Sequence, residues 1–271
     1  MRAENREERD CRSRRSTYQT PGIILGRCLV KAVDGVVNLA VLAVFLLLLA
    51  YGCYALWDSR QVVDQADPSE YTVYKPSAED SLSFAELQAI NPDVFGWLTI
   101  YGTNVDYPLV QGEDNSRYVN TDAKGNYSLS GSLFLDYRNS DQFLDFASII
   151  YGHDMAEKKM FGELASFQEA EFFDSHRYGN LYFGGKDHGV EFFAFLEADA
   201  YDTSVYNPGV SPEGGMEYLD NLLDKAVNRR EISVTEEDHL VLLSTCTAGT
   251  TNGRHILVGK ITEKPWPDPY Q

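Results

Sequence analysis

Of the four cysteines in these 271 residues only Cys246 lies beyond residue 57; Cys11 and Cys28 precede a long apolar run and Cys53 lies within it. The C-terminal part therefore has no internal disulfide, and a solitary cysteine is either an inert buried thiol or a reactive one. Basic residues are scarce too. Eight of the 23 Lys and Arg and five of the 41 Asp and Glu precede residue 58, which leaves 15 against 36 and a net charge of −21 for 58–271. Such a surface disfavours nucleic acid and anionic headgroups, so no nucleic-acid partner is expected. There is no repeat, no second apolar run of spanning length and no spaced carboxylate loop of the kind calcium needs, so neither a metal nor another cofactor is expected.

What is present begins with Val36–Trp57, 22 residues without a formal charge and rich in Leu, Val and Ala. As a helix this run is about 33 Å long, enough for a hydrocarbon core of roughly 30 Å. It exceeds the apolar stretch of a cleaved signal peptide and lacks the polar stripe of a buried core helix. Arg2, Arg6, Arg9, Arg12, Arg14, Arg15, Arg27 and Lys31 precede it, and basic flanks stay cytoplasmic, so the expectation is a single-pass protein with its C-terminal part outside the cell. The chain divides into a basic cytoplasmic segment (1–35), an anchor (36–57), a polar stalk with Pro68 and Pro76 (58–80), a folded domain (81–263) and a Pro-rich tail (264–271).

Within the folded domain, Ser83 and Glu86 have capping-box spacing, and Phe84, Leu87 and Ile90 predict a short helix ended by Asn91-Pro92. Runs rich in β-branched and aromatic residues predict strands at Gly96–Ile100, Val105–Gln111, Gly131–Tyr137, Ala147–Gly152, Asn180–Phe183, Val190–Ala198, Leu240–Ser244 and His255–Ile261. Eight short strands make the fold mainly β and suggest a closed barrel. Two helical patterns interrupt them, Met160–Phe173 and Met216–Val227. In the second, Met216, Leu219, Leu222, Leu223 and Ala226 share a face that suits packing on the barrel.

Cys246 follows the apolar run Leu240–Leu243 after Ser244 and Thr245, a place where a buried strand emerges and holds an exposed side chain rigidly. Acyl transfer needs a thiolate, so a base or cation is required nearby. His153 has the matching setting, at the end of Ser148–Tyr151 just after Gly152. His239 lies too far back along the same strand as Cys246, His176 sits near a helix end, and His188 occupies a turn. Arg254 returns to Cys246 across the polar loop 247–253, and if it faces the thiol then His255 faces away. An arginine there suits an oxyanion.

Leu243-Ser244-Thr245-Cys246 with Arg254, and Tyr151-Gly152-His153 upstream, resemble the signature of sortases. Asn91–Trp97, Val105-Asp106-Tyr107-Pro108, Asp114-Asn115 with Tyr118, and Gly131–Asn139 are similar to class B members, over roughly Phe84–Ile261. The Asp67-Pro68-Ser69 stretch and the lone apolar run depart from class C. The resemblance implies an eight-stranded barrel with an added N-terminal helix and a long helix, here Met216–Val227, before the cysteine-bearing strand. It implies a transpeptidase that cleaves a C-terminal sorting motif of secreted proteins through a thioacyl on Cys246 and joins them to a cell-wall peptide amine. His153 would move protons, Arg254 would hold motif and oxyanion, and Asn115, Val119, Ser244 and Thr247 match the motif-binding wall.

The rivals are another cysteine acyl-transferase or protease, whose cysteine and histidine motifs differ in order and context, and a membrane-tethered binding module with an inert cysteine. On the enzyme reading a thiol-reactive probe labels Cys246 in the native protein; a thiol that reacts only after denaturation would favour the module.

Overall fold

The computed structural model describes residues 21–77, 82–208, 212–247 and 251–270, with side chains at all of these except 21–24, 212 and 213. Arg2, Arg6, Arg9, Cys11, Arg12, Arg14 and Arg15 lie outside the described residues, as do 78–80 of the expected stalk, 248–250 of the loop after Cys246, and Gln271 of the tail. The chain forms two compact units, Met1–Asp58 and Ser59–Gln271. Helix α1 (Pro21–Gln65) contains the apolar run and extends it in both directions. Among the described residues it alone is long and apolar enough to cross a bilayer, and its most apolar stretch is exposed.

The second unit is a barrel. Its strands are β1 (Val94–Ile100), β2 (Asp106–Val110), β3 (Leu133–Leu135), β4 (Ala147–Tyr151), β5 (Tyr178–Phe183), β6 (Lys186–Asp199), β7 (Ala226–Arg229), β8 (Leu240–Cys246) and β9 (Gly253–Thr262). The ladder runs β5-β1-β2-β3-β4-β8-β9-β6, and pairing of β5 with β6 closes the ring of eight. The β2–β3 and β4–β8 pairs are parallel and the rest antiparallel. All eight expected strands are present. The β5–β6 hairpin turns through Gly184 and Gly185, both at positive φ, a conformation that glycine adopts without strain.

One strand is additional. The expected helix Met216–Val227 stops earlier, as α4 (Pro212–Asp224), after α2 (Leu82–Ile90) and the short α3 (Ala170–Ser175). Ala226 and Val227 instead belong to β7, which lies outside the ring and pairs with Ala194–Leu196 of β6, satisfying backbone groups of that long strand. The Met160–Phe173 pattern is not one helix either. Phe161, Leu164 and Phe167 are buried at intervals of three, the period of a 3₁₀ turn, and Leu164–Gln168 is 3₁₀. Glu169 is extended and separates that turn from α3.

Two cores result. The first takes in Val241 and Leu243 on one face of β8 together with Trp97, Leu98, Tyr107 and Phe161, and extends to Phe84 and Leu87 of α2. The second lies on the opposite face of β4, β6, β8 and β9, where Tyr218, Leu219 and Leu222 of α4 cover Ile149, Leu196, Leu240 and Leu242. The stripe on α4 is thus core contact.

The segment read as a stalk is docked on the barrel for much of its length. Ala66 and Tyr71 are buried, and the Ala66 carbonyl accepts from Tyr107 Oη at 2.7 Å. Lys159, itself largely buried, donates to Val63 O (3.1 Å) and pairs with Asp67 (2.9 Å). The tail docks too, with Trp266 stacked on Tyr178 and Tyr270 Oη donating to Ser175 O.

Bonds from Ser69 and then Lys159 hold the Asp67 carboxyl at about 2. Its folded value is below the unfolded one, so its stabilisation is complete above about pH 4 and fades as pH falls towards 2. Lys159→Ala is expected to cost about 1–2 kcal/mol in denaturant unfolding at pH 7. The difference from wild type should shrink below pH 4; a pH-independent difference would refute the ion pair as its source.

Candidate active site

Both faces of β8 are buried, which explains its unbroken apolar run. Val241 and Leu243 face the barrel interior, while Leu240 and Leu242 face α4. By the same alternation Thr245 belongs to the first face, and Ser244 and Cys246 to the second. Cys246 is the last residue of the strand and is exposed, which removes the buried-thiol alternative.

The neighbouring strands bring the other two residues to this point. Parallel pairing of β4 with β8 ends at Tyr151↔Ser244 and continues through Gly152 N donating to Ser244 O at 3.1 Å. His153 is two residues past that pair, as Cys246 is, so it lies just beyond the end of β4 on the side of the cysteine, and both line one cavity. On the other side Cys246 pairs directly with Arg254 of β9. Adjacent strands are roughly 5 Å apart, so His153, Cys246 and Arg254 form a row across one end of the sheet. His255 pairs with Thr245 and belongs to the opposite face, near Phe195 and Glu197.

His153 Nε2 bonds to the Val119 carbonyl at 2.8 Å. A carbonyl only accepts, so Nε2 carries a proton and Nδ1 is the ring position free to exchange one. The other histidines have different surroundings: His176 stacks on Phe172, His188 on Phe183, and His239 Nδ1 bonds to the Asp145 carbonyl.

A cavity of about 440 Å³ opens over the row, and Asn115, Val119, His153, Ser244, Cys246 and Arg254 all line it. Thr247 does not. It lines a neighbouring cavity of about 870 Å³ with Glu197, Asp199, Asp202 and Asn252. Asn115 lines the cavity with its carboxamide already engaged, Nδ2 donating to Asp136 at 2.9 Å and Oδ1 accepting from Tyr137 N at 3.0 Å. Ser244 Oγ is bonded to Tyr206 Oη at 2.8 Å.

Phe134, Arg138, Tyr151, Ala200, Tyr206 and Thr245 also line the cavity and were not singled out from the sequence. Tyr151 and Arg138 stand inside recognisable motifs, so a signal existed for them. Tyr206 lies in an irregular stretch far from any motif, and nothing local marks it. Burial pushes the Tyr206 phenol up to about 12 despite its bond to Ser244, so it is a neutral hydroxyl. Burial also acts to raise the Asp136 carboxyl, but Arg138, Asn115 and Tyr151 outweigh it and leave the group below its ordinary value. Among the described residues no group of His, Cys, Asp and Glu side chains is arranged to hold a metal.

Gly152 permits the close approach on which this end of the sheet depends, because a Cβ there would press on Leu133 and Phe161. Gly152→Ala is expected to cost about 1–3 kcal/mol in thermal or denaturant unfolding. A variant as stable as wild type would show that the strand end accommodates the methyl group.

No family model matches the sequence. The chain is, however, 34% identical over 183 residues to sortase B of Listeria monocytogenes, covering 66% of this chain and 74% of that one. Among solved structures, sortase B from the type II pilus of Streptococcus pneumoniae is 47% identical with a TM-score of 0.59, over 67% of this chain and 99% of that one. A Streptococcus pyogenes class B sortase involved in pilus biogenesis is 44% identical with a TM-score of 0.61, over 66% and 97%. A closed eight-stranded barrel with an exposed cysteine at a strand end, together with these identities, makes the chain a member of the class B sortases, which are cysteine transpeptidases.

Proposed function

We propose that Cys246, His153 and Arg254 carry out the transpeptidation, and that the cavity above them receives the sorting peptide. The observation that carries this reading is that His153, Cys246 and Arg254 line one cavity, Arg254 paired across the ladder with Cys246 and His153 two residues past the end of β4. The Cys246 thiol gives its proton to His153 Nδ1 and its sulfur attacks the carbonyl carbon of the motif's threonine, while Arg254 stabilises the oxygen that becomes negative. As the C–N bond breaks, His153 gives the Nδ1 proton to the leaving amine, and a thioester remains on Sγ. An incoming amine then attacks that carbonyl, His153 takes its proton, and the thiolate departs.

In this account α1 holds the protein in the membrane with residues 1–35 in the cytoplasm, and the barrel works outside the cell on secreted proteins. The length of α1 and the eight basic residues before the apolar run support that orientation. Asn115, Val119 and Ser244 form part of the motif-binding wall, and Thr247 borders the route beside it.

The acceptor is a cell-wall peptide amine on the first reading. The identities of 47% and 44% to class B sortases tied by name to pili favour a second, in which a lysine of another protein subunit supplies the amine. Joining one protein to another through the thioester requires a free amine on the second, which a lysine side chain supplies.

Incubating the full chain in detergent with a library of threonine-containing pentapeptides should yield a thioacyl adduct on Cys246 by intact mass. Cys246→Ala should give none, and Arg254→Ala should lower kcat roughly 100- to 1,000-fold. Adducts on Cys246→Ala would overturn the assignment. Offering a diglycine amine and a lysine side-chain amine in competition distinguishes the two acceptors by product mass.

A further inference from the structure

Asp136 is fully buried and does not line the cavity, yet three cavity residues depend on it. Arg138 reaches it twice, Nε to Oδ1 at 2.9 Å and a terminal nitrogen to Oδ2 at 2.8 Å, and its backbone N–H adds a third bond at 3.0 Å. Asn115 Nδ2 and Tyr151 Oη donate to the same Oδ2 at 2.9 and 3.0 Å. One carboxylate thus gathers five donors from three segments of chain: the loop after β2, the end of β3 and the end of β4.

The arrangement continues towards the thiol. Tyr151 stacks on Tyr206 with ring centres 6.4 Å apart, and Tyr206 Oη is bonded to Ser244, two residues before Cys246. Asp136 also neutralises Arg138, so Arg254 is the one guanidinium lining the cavity without a carboxylate bonded to it among the ion pairs of the described residues. The carboxylate touches neither Cys246 nor His153 in any hydrogen bond. Its influence falls on the shape and charge of the wall, and the row of reacting groups is held by other contacts.

We propose that Asp136 is the positioning residue of the peptide-binding wall, setting Asn115, Arg138 and Tyr151 for the sorting peptide and taking no part in bond making. This rests on the reading of the cavity as the peptide site. Losing the anchor is therefore a loss of binding, felt in KM, while the intrinsic reactivity of the thiol is kept. A role in overall rigidity alone would lower thiol reactivity and turnover together with affinity.

The test uses the full chain in detergent and a quenched peptide chosen as the best-cleaved member of a library of threonine-containing pentapeptides. Asp136→Asn should raise KM about 10-fold, leave kcat within about 2-fold, and leave the rate of Cys246 alkylation by iodoacetamide within about 2-fold. Tyr151→Phe keeps the ring and removes only the hydroxyl bonded to Asp136; it should raise KM about 3- to 10-fold with the same unchanged alkylation. If Asp136→Asn does not fold, the Tyr151→Phe result decides. An unchanged KM in a folded variant, or alkylation and kcat that fall with KM, overturns the proposal. Wild-type protein that alkylates at Cys246 but cleaves no library member would instead refute the peptide-site reading beneath it.

Discussion

The pairing of β8 with parallel β4 on one side and antiparallel β9 on the other is the constraint from which the active end of the barrel follows. Register decides which residues are neighbours at a strand end. With Tyr151 opposite Ser244, and Cys246 opposite Arg254, three residues from distant parts of the chain meet on one face. A slip of one residue in either ladder would turn a member of the row to the other face. Register in turn is held by burial on both faces of β8, since barrel and α4 each claim alternate residues of Leu240–Leu243.

The rest of the unit supports this end of the sheet. Gly152 lets β4 pass close to Leu133 and Phe161 just before His153. The Val119 carbonyl fixes the imidazole and its tautomer, and Asp136 fixes the wall through which a peptide would approach. The loop after His153 is clasped in its turn: Lys159 is tied to Val63 and Asp67, at the end of α1 and just beyond it. Residues 59–77, far from being a loose tether, brace the segment that leads away from the histidine.

Much of this was legible in the sequence because its causes are local. Strand ends marked by Tyr151-Gly152-His153 and Ser244-Thr245-Cys246, and a hairpin-length return to Arg254, are short-range patterns, as are the eight strands. What was not legible depends on contacts made at a distance. Met216–Val227 reads as one helix because Ala226 continues the apolar spacing, yet β6 takes residues 226–229 as a strand. Asn115 lines the cavity, but the engagement of its carboxamide by Asp136 and Tyr137 is not visible in the sequence. Thr247 follows the cysteine in sequence and lines the adjacent cavity. Asp136 stands in the same motif as Arg138, Gly131–Asn139, but nothing in that motif marks it as the group on which Asn115, Arg138 and Tyr151 converge.

The central claim is that His153, Cys246 and Arg254 act as one unit because register makes them neighbours. Residues that act as a unit have non-additive effects on catalysis. The direct measurement is kcat/KM for peptide cleavage by His153→Ala, Arg254→Ala and the double variant. The double variant is predicted to be about as slow as the slower single one, within about 10-fold; a loss equal to the product of the two single losses would contradict the account.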